Sequence, residues 1–326
     1  MQTSMLMRAL TALVLTLVAA IAGGAPASGE PAKLTLGTAR PGGTYVIYGG
    51  FVARLIAKEA QLPVVTRETD GPNDNIVLLS EKKIDLGMTT MGIANQAWNA
   101  SAPWTKGKKF REIRALFPMY DTPFHFVVLE RTDIRSVKDM AGRKIGVGPK
   151  SGTPGTYFPM MFKALGIEAN FQFGGASAMA DQLIDGKLDA FAFAAGLPID
   201  AFSVIEDERT VRFIRYTDAE IAAIRKAYPE LTEALIPKTT YRQLDGDHKT
   251  LGTFNFFIVH MDMIDSLAYR ITKTVMEQSG LIVRGHASAK ETVLMNWDRN
   301  TFLPYHPGAL KYFAEKGIKV PAHLRQ

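Results

Sequence analysis

Strand, small-residue turn, helix, strand, turn, helix, strand: this order occurs twice in the chain, and the repetition constrains its fold more than any single residue. In the first copy, residues 33–37 read as a strand and 39–43 (Ala-Arg-Pro-Gly-Gly) as a turn. Residues 44–59 follow with helical spacing of Val46, Ile47, Phe51, Leu55 and Ile56. A strand over 64–66, a turn over 68–73, a helix over 75–82 and a strand over 84–88 complete it. The second copy places strands at 143–148, 170–173 and 188–193, with helices at 155–165 and 179–185. Two local matches tie the copies together. Gly43-Thr44-Tyr45 recurs as Gly155-Thr156-Tyr157 at an offset of 112, and residues 79–85 (LSEKKID) recur as 183–189 (LIDGKLD) at an offset of 104. Alternating strands and helices of this kind predict an α/β architecture with two similar lobes.

The N-terminus points to export. Residues 1–8 carry one positive charge, 9–21 are apolar, and Ala25-Pro26-Ala27 offers a cleavage site before Ser28, so 1–27 read as a signal peptide. The apolar run is short against the roughly 20 residues of a bilayer span, which argues against an anchor. With no cysteine in 326 residues, disulfides, thiolate metal sites and a cysteine nucleophile are excluded, and the fold must rest on its core alone. The net charge of +6 is spread out, without a basic stripe, so nucleic acid is not an expected partner. A mild positive field suits an anionic ligand, and surface solubility accounts for it equally well.

Two similar lobes in an exported chain predict a periplasmic-binding fold with a ligand cleft between them and strands crossing at a hinge. One crossover is expected over 116–128, where Phe117-Pro118 and Thr122-Pro123 break the pattern before a strand over 124–129, and the return over 251–259. This assigns 28–119 to lobe I, 120–252 to lobe II, and 253–326 to a return strand and helices that complete lobe I.

Each lobe offers a small-residue loop at a helix N-terminus, where free amides and the helix dipole favour negative charge. The candidate ligand-binding residues are Gly43, Thr44 and Tyr45 in lobe I, and Ser151, Gly152, Thr153 and Thr156 in lobe II. Arg40 and Lys150 stand in the same loops and can neutralise a carboxylate or simply face solvent. Tyr120 and Phe124, at the first crossover, either touch ligand or pack the hinge. Nucleotide motifs fail: residues 146–153 (GVGPKSGT) lack the Gly-Lys pair of a Walker loop, and Ser151 stands where a dinucleotide fingerprint needs glycine. The six histidines are scattered, with no metal-ligand spacing and no catalytic constellation, so neither a cofactor nor an enzyme is expected. His125 reads as a core or hinge histidine, and Asp85 and Asp189 as turn residues at strand starts.

These segments together resemble a known family. Leu36-Gly37-Thr38, Gly42-Gly43-Thr44-Tyr45, Glu68-Thr69 with Gly71 and Asn75, residues 145–153 (IGVGPKSGT), Asp189-Ala190-Phe191, Ala195-Gly196-Leu197-Pro198 and Tyr305-His306-Pro307-Gly308-Ala309 follow in order over nearly the whole chain beyond 28. The pattern is similar to that of the TAXI-type substrate-binding proteins of TRAP transporters. The resemblance implies a type II periplasmic-binding fold, a periplasmic location, and delivery of a small organic acid, such as glutamate or 2-oxoglutarate, to a TRAP-type membrane permease. It adds Asn75, and Gly196, Leu197 and Pro198 on the far wall, to the expected contacts. Thr89 and Thr90 also join them, from a segment (Thr89-Thr90-Met91-Gly92) that departs from the family's more polar one; Pro72 likewise replaces its usual serine. Both departures imply a less polar pocket and a ligand with fewer charged groups than glutamate. The protein is expected to be a monomer; the alternative role is a ligand sensor that docks on a membrane signalling receptor.

Overall fold

The computed structural model describes residues 31–325, so the expected signal peptide over 1–27 lies outside the described residues. Among the described residues no helix is long and apolar enough to cross a membrane.

The repeat is visible in the strand order. β1 (Leu34–Gly37) lies between β2 (Val64–Arg67) and β3 (Leu86–Thr90), all parallel. β5 (Lys144–Gly146) lies in the same way between β6 (Asn170–Gln172) and β7 (Ala190–Ala194), again all parallel. In both copies an aspartate just before the third strand holds the first. Asp85 Oδ2 accepts from the Thr35 amide at 2.7 Å, and Asp189 Oδ2 accepts from the Lys144 amide at 2.8 Å. The LSEKKID and LIDGKLD match is therefore in structural register. The Gly-Thr-Tyr match is not. Helix α1 (Thr44–Glu59) is capped by Gly43, whereas helix α4 (Thr153–Ala164) is capped by Gly152, one turn before Gly155.

Two long strands join the parallel groups. β4 (Ile113–Leu129) pairs along its first part with β10 (His248–His260) and along its last part with β7 and with β8 (Val211–Ile214). β10 pairs with β9 (Thr232–Ile236) at its start and with β3 at its end. The expected interruption at Phe117-Pro118 and Thr122-Pro123 does not occur: β4 runs unbroken through both prolines. Pro118 faces Phe256 beside a register shift, an irregularity that accommodates the missing amide of a proline. The polar residues His248, Lys249 and Thr250, which precede the expected return strand over 251–259, belong to β10.

Helix α1 buries Tyr45, Tyr48, Val52, Leu55 and Ile56, a single stripe at helical spacing. Its Gly49 allows close approach to the sheet, since a Cβ there would stand 2.9 Å from Thr38 and 3.0 Å from Met88. The remaining helices nearest the cleft are α2 (Pro72–Ser80), α3 (Met91–Asn99) and α5 (Ala176–Ile184). α2 and α4 begin earlier than their periodicity suggests, because Pro72 and Pro154 occupy first-turn positions where no amide is needed. The Tyr305-His306-Pro307-Gly308-Ala309 motif is a helix start: the His306 ring accepts from the Gly308 amide, and a Cβ on Gly308 would meet Tyr269 N at 2.7 Å.

Candidate functional site

The carboxyl ends of β1, β3 and β7, with the loop after β5, converge with the middle of β4 and β10 on a cavity of about 60 Å³. Five helices start there. Gly43 and Thr44 open α1, Gly71 and Pro72 open α2, Thr90 caps α3, Gly152 and Thr153 open α4, and Ala176 opens α5; all of these residues line the cavity. None of these N-caps uses its side chain to satisfy the helix, and the caps of α1, α2, α4 and α5 are glycines with no side chain to use. First-turn amides have no intrahelical acceptor, and each helix start carries roughly half a positive charge. The arrangement therefore focuses positive potential on one small volume.

The walls are mostly apolar: Ala39, Pro72, Pro149, Pro154, Phe193, Ala194 and Ala195 contribute. Polar contributions come from Tyr45, Thr90, Thr122, Thr153 and Asn255. Asn255, fully buried in β10, holds the floor together. Its Oδ1 accepts from the Tyr45 hydroxyl at 2.7 Å, and its Nδ2 donates to Tyr120 O at 2.7 Å and to Thr122 Oγ1 at 2.6 Å. Burial raises the Tyr45 phenol well above its ordinary range, so it stays a neutral donor. Arg40 and Asp70, the cation and carboxylate of the lining, are bonded to each other at 2.6 Å.

The lobes touch around the cavity. Thr44 Oγ1 donates to Gly196 O at 2.8 Å, Thr90 and Thr153 hydroxyls meet at 3.0 Å, and the Asn73 amide donates to Ser151 O at 3.2 Å. Gly71, at φ +115°, lies against the Gly152 backbone, an approach and a conformation that both require glycine.

Of the residues expected to contact ligand, Gly43, Thr44, Tyr45, Thr90, Gly152 and Thr153 line this cavity together. The others stand elsewhere. Asn75 is fully buried behind it, donating to Thr38 O and Met88 O, where it ties α2 to β1 and β3. Thr89 is buried within β3, and Ser151 and Thr156 face Asn73 across the lobe contact. Gly196 offers its carbonyl to Thr44, while Leu197 and Pro198 line a separate groove with Asp121 and Glu291. Lys150 lies over the Phe173 ring, 5.1 Å from its centroid. Phe124 packs edge-on against Tyr157 and Phe158, and Tyr120 packs edge-on against Tyr48. His125 is a core histidine, its ring nitrogens 3.2 Å from Pro123 O and 3.0 Å from the Tyr241 hydroxyl. Among the described residues no group of three His, Cys, Asp or Glu comes together to hold a metal.

The sequence reading missed Phe193, Ala194, Ala195, Thr122, Asn255 and Asp70. Asn255 carried a signal, being a lone amide in the apolar run 254–259. Ala195 was visible only as the start of the Ala195-Gly196-Leu197-Pro198 motif, and Phe193 and Ala194 carried no signal; only their position at the end of a strand brings them to the cleft.

Solved structures share this architecture. A periplasmic transporter aligns with a TM-score of 0.54 at 11% identity, over 89% of this chain and 98% of its own. A putative L-cystine ABC transporter from Listeria monocytogenes aligns with a TM-score of 0.51 at 14% identity, over 80% and 100%. The alkanesulfonate-binding protein SsuA from Xanthomonas axonopodis pv. citri, bound to MOPS, aligns with a TM-score of 0.50 at 15% identity, over 88% and 85%. The fold is the two-lobed α/β fold of periplasmic binding proteins. A family model matches residues 36–317, and with that match over most of its length the chain belongs to the NMT1-like family.

Proposed function

We propose that this protein is an extracytoplasmic solute-binding protein that captures a small organic acid in the cleft and delivers it to a TRAP-type permease in the inner membrane. The observation that carries this reading is the convergence of five helix N-termini, drawn from both lobes, on one cavity whose side-chain charges are already paired. Such a site attracts an anion through backbone dipoles, and lobes that meet around it can enclose the anion. The order of motifs shared with TAXI-type receptors favours a TRAP permease as partner. The role is that of a receptor, as in the alkanesulfonate-binding and arginine-binding proteins whose fold it shares.

A thermal-shift screen of small organic acids tests the binding. An acid at 100 times its Kd adds about 2.7 kcal/mol of stability, a visible rise in Tm. If neutral amides raise Tm and no acid does, the anion reading fails. The permease assignment is tested separately by uptake in membrane vesicles. Uptake should survive ATP depletion and collapse with an ionophore; strictly ATP-dependent uptake would refute it.

A further inference from the structure

We propose that the ion pair between Arg40 and Asp70 at the cavity mouth restricts the site to a short monocarboxylate, excluding dicarboxylates and amino acids. This rests on the reading above that the cleft binds a carboxylate, and it assigns Asp70 as the specificity-determining residue. Both side chains are about half exposed, 49% and 45%, which places them at the rim. The pair spans two loops of one lobe and touches the other. Arg40 follows β1 and Asp70 follows β2, and the Arg40 stem lies 3.6 Å from where a Cβ on Gly175, the cap of α5, would stand. Asp70 is held in place from behind, its amide donating to Asp74 Oδ2 at 3.2 Å.

One carboxylate takes the first-turn amides still open: α2 begins with Pro72 and its Asn73 amide donates to Ser151 O, while the Gly92 amide of α3 donates to Thr253 Oγ1. The side chains of Thr44, Tyr45, Asn255, Thr90 and Thr153 are already hydrogen-bonded within the protein, and Phe193, Pro149, Pro154 and Ala176 offer a second carboxylate no donor. Its other option is the guanidinium, which already donates to Asp70, and the Asp70 carboxylate repels an incoming anion. An α-ammonium fares no better: the lining supplies one carboxylate, and the Arg40 guanidinium bonded to it repels a second cation.

Titration calorimetry on the full mature chain, with propionate, pyruvate, succinate and glutamate, tests this on wild type, Asp70→Asn and Arg40→Gln. Wild type should prefer the monocarboxylates by about tenfold or more. Asp70→Asn frees the guanidinium and should bring succinate to within about threefold of propionate at low salt, an advantage that fades as salt screens it. Arg40→Gln leaves Asp70 unpaired and should weaken every acid. Melting temperatures near wild type, expected at half-exposed positions, separate these effects from misfolding. If wild type binds succinate or glutamate as tightly as propionate, or if Asp70→Asn leaves the ratio unchanged, the selectivity is refuted while the carboxylate site stands. If no carboxylate binds any form, the underlying reading falls and the proposal falls with it.

Discussion

Replacing Asn255 with valine removes the amide that joins both hinge strands to α1 while keeping a residue suited to a strand. Three hydrogen bonds disappear: from the Tyr45 hydroxyl, to Tyr120 O, and to Thr122 Oγ1. The Thr122 hydroxyl can rotate to find another partner, but the Tyr45 hydroxyl and the Tyr120 carbonyl cannot move. Each buried group left without a partner costs about 1–3 kcal/mol, so a total of about 3 kcal/mol is a reasonable expectation. For a chain of this length, with an unfolding entropy of about 2.1 cal/mol/K per residue, that is a fall in Tm of about 5 °C. Urea unfolding of wild type, Asn255→Val, Tyr45→Phe and the double variant measures both the loss and its origin. Removing the phenol hydroxyl from the valine variant removes one of the stranded groups. The double variant should therefore be no less stable than Asn255→Val alone, although Tyr45→Phe by itself is destabilising. Simple addition of the two losses, or a valine variant within about 0.5 kcal/mol of wild type, would refute this account of the hinge.

Two further outcomes follow from packing and burial. A Cβ at Gly155 would overlap the Pro149 carbonyl oxygen and stand 2.8 Å from its carbon, so Gly155→Ala must displace the loop that carries Pro149 and Gly152 into the cavity. A loss of about 1–3 kcal/mol in urea unfolding is expected, together with a weakened thermal shift by any acid that stabilises wild type; full retention of both would contradict the packing. Burial pushes the His125 imidazole down to about 3, whereas in the unfolded chain it protonates near 6.5. Its contribution is complete above pH 6.5 and is lost as pH falls toward 3, at about 1.4 kcal/mol per unit. The stability gap between wild type and His125→Gln should therefore narrow from pH 7 to pH 5, and parallel pH profiles would show the histidine to be solvated.

The helix starts show how far local pattern carries. The bounds of the helix over 44–59 were legible, but its face was not: Val46, Ile47 and Phe51 are only part-buried, and the buried stripe is Tyr45, Tyr48, Val52, Leu55 and Ile56. The starts of α2 and α4 were read late, since proline serves a turn and a helix's first turn equally well until the backbone is seen. The repeat was legible, yet its Gly-Thr-Tyr match lies one turn out of register. Tyr45 reaches the cavity, while Tyr157 packs against Gly92 and donates to Glu230. A short match records shared residue preferences at helix starts, not shared positions in space.

The sequence by itself determined the doubled α/β order, the aspartates that precede the third strand of each copy, and the glycine and threonine helix starts that make an anion site. These follow from hydrogen bonding and periodicity within a few residues. Only the tertiary structure decided which of those residues share a cavity. It withdrew Asn75, Thr89, Ser151, Thr156 and Gly196 to Pro198, and it brought in Phe193, Thr122, Asn255 and the Arg40–Asp70 pair. The physical reason is that a cleft is made by strands and loops far apart in the chain. Whether a polar group faces it or is spent on a neighbour depends on register across β4 and β10, which no local pattern encodes.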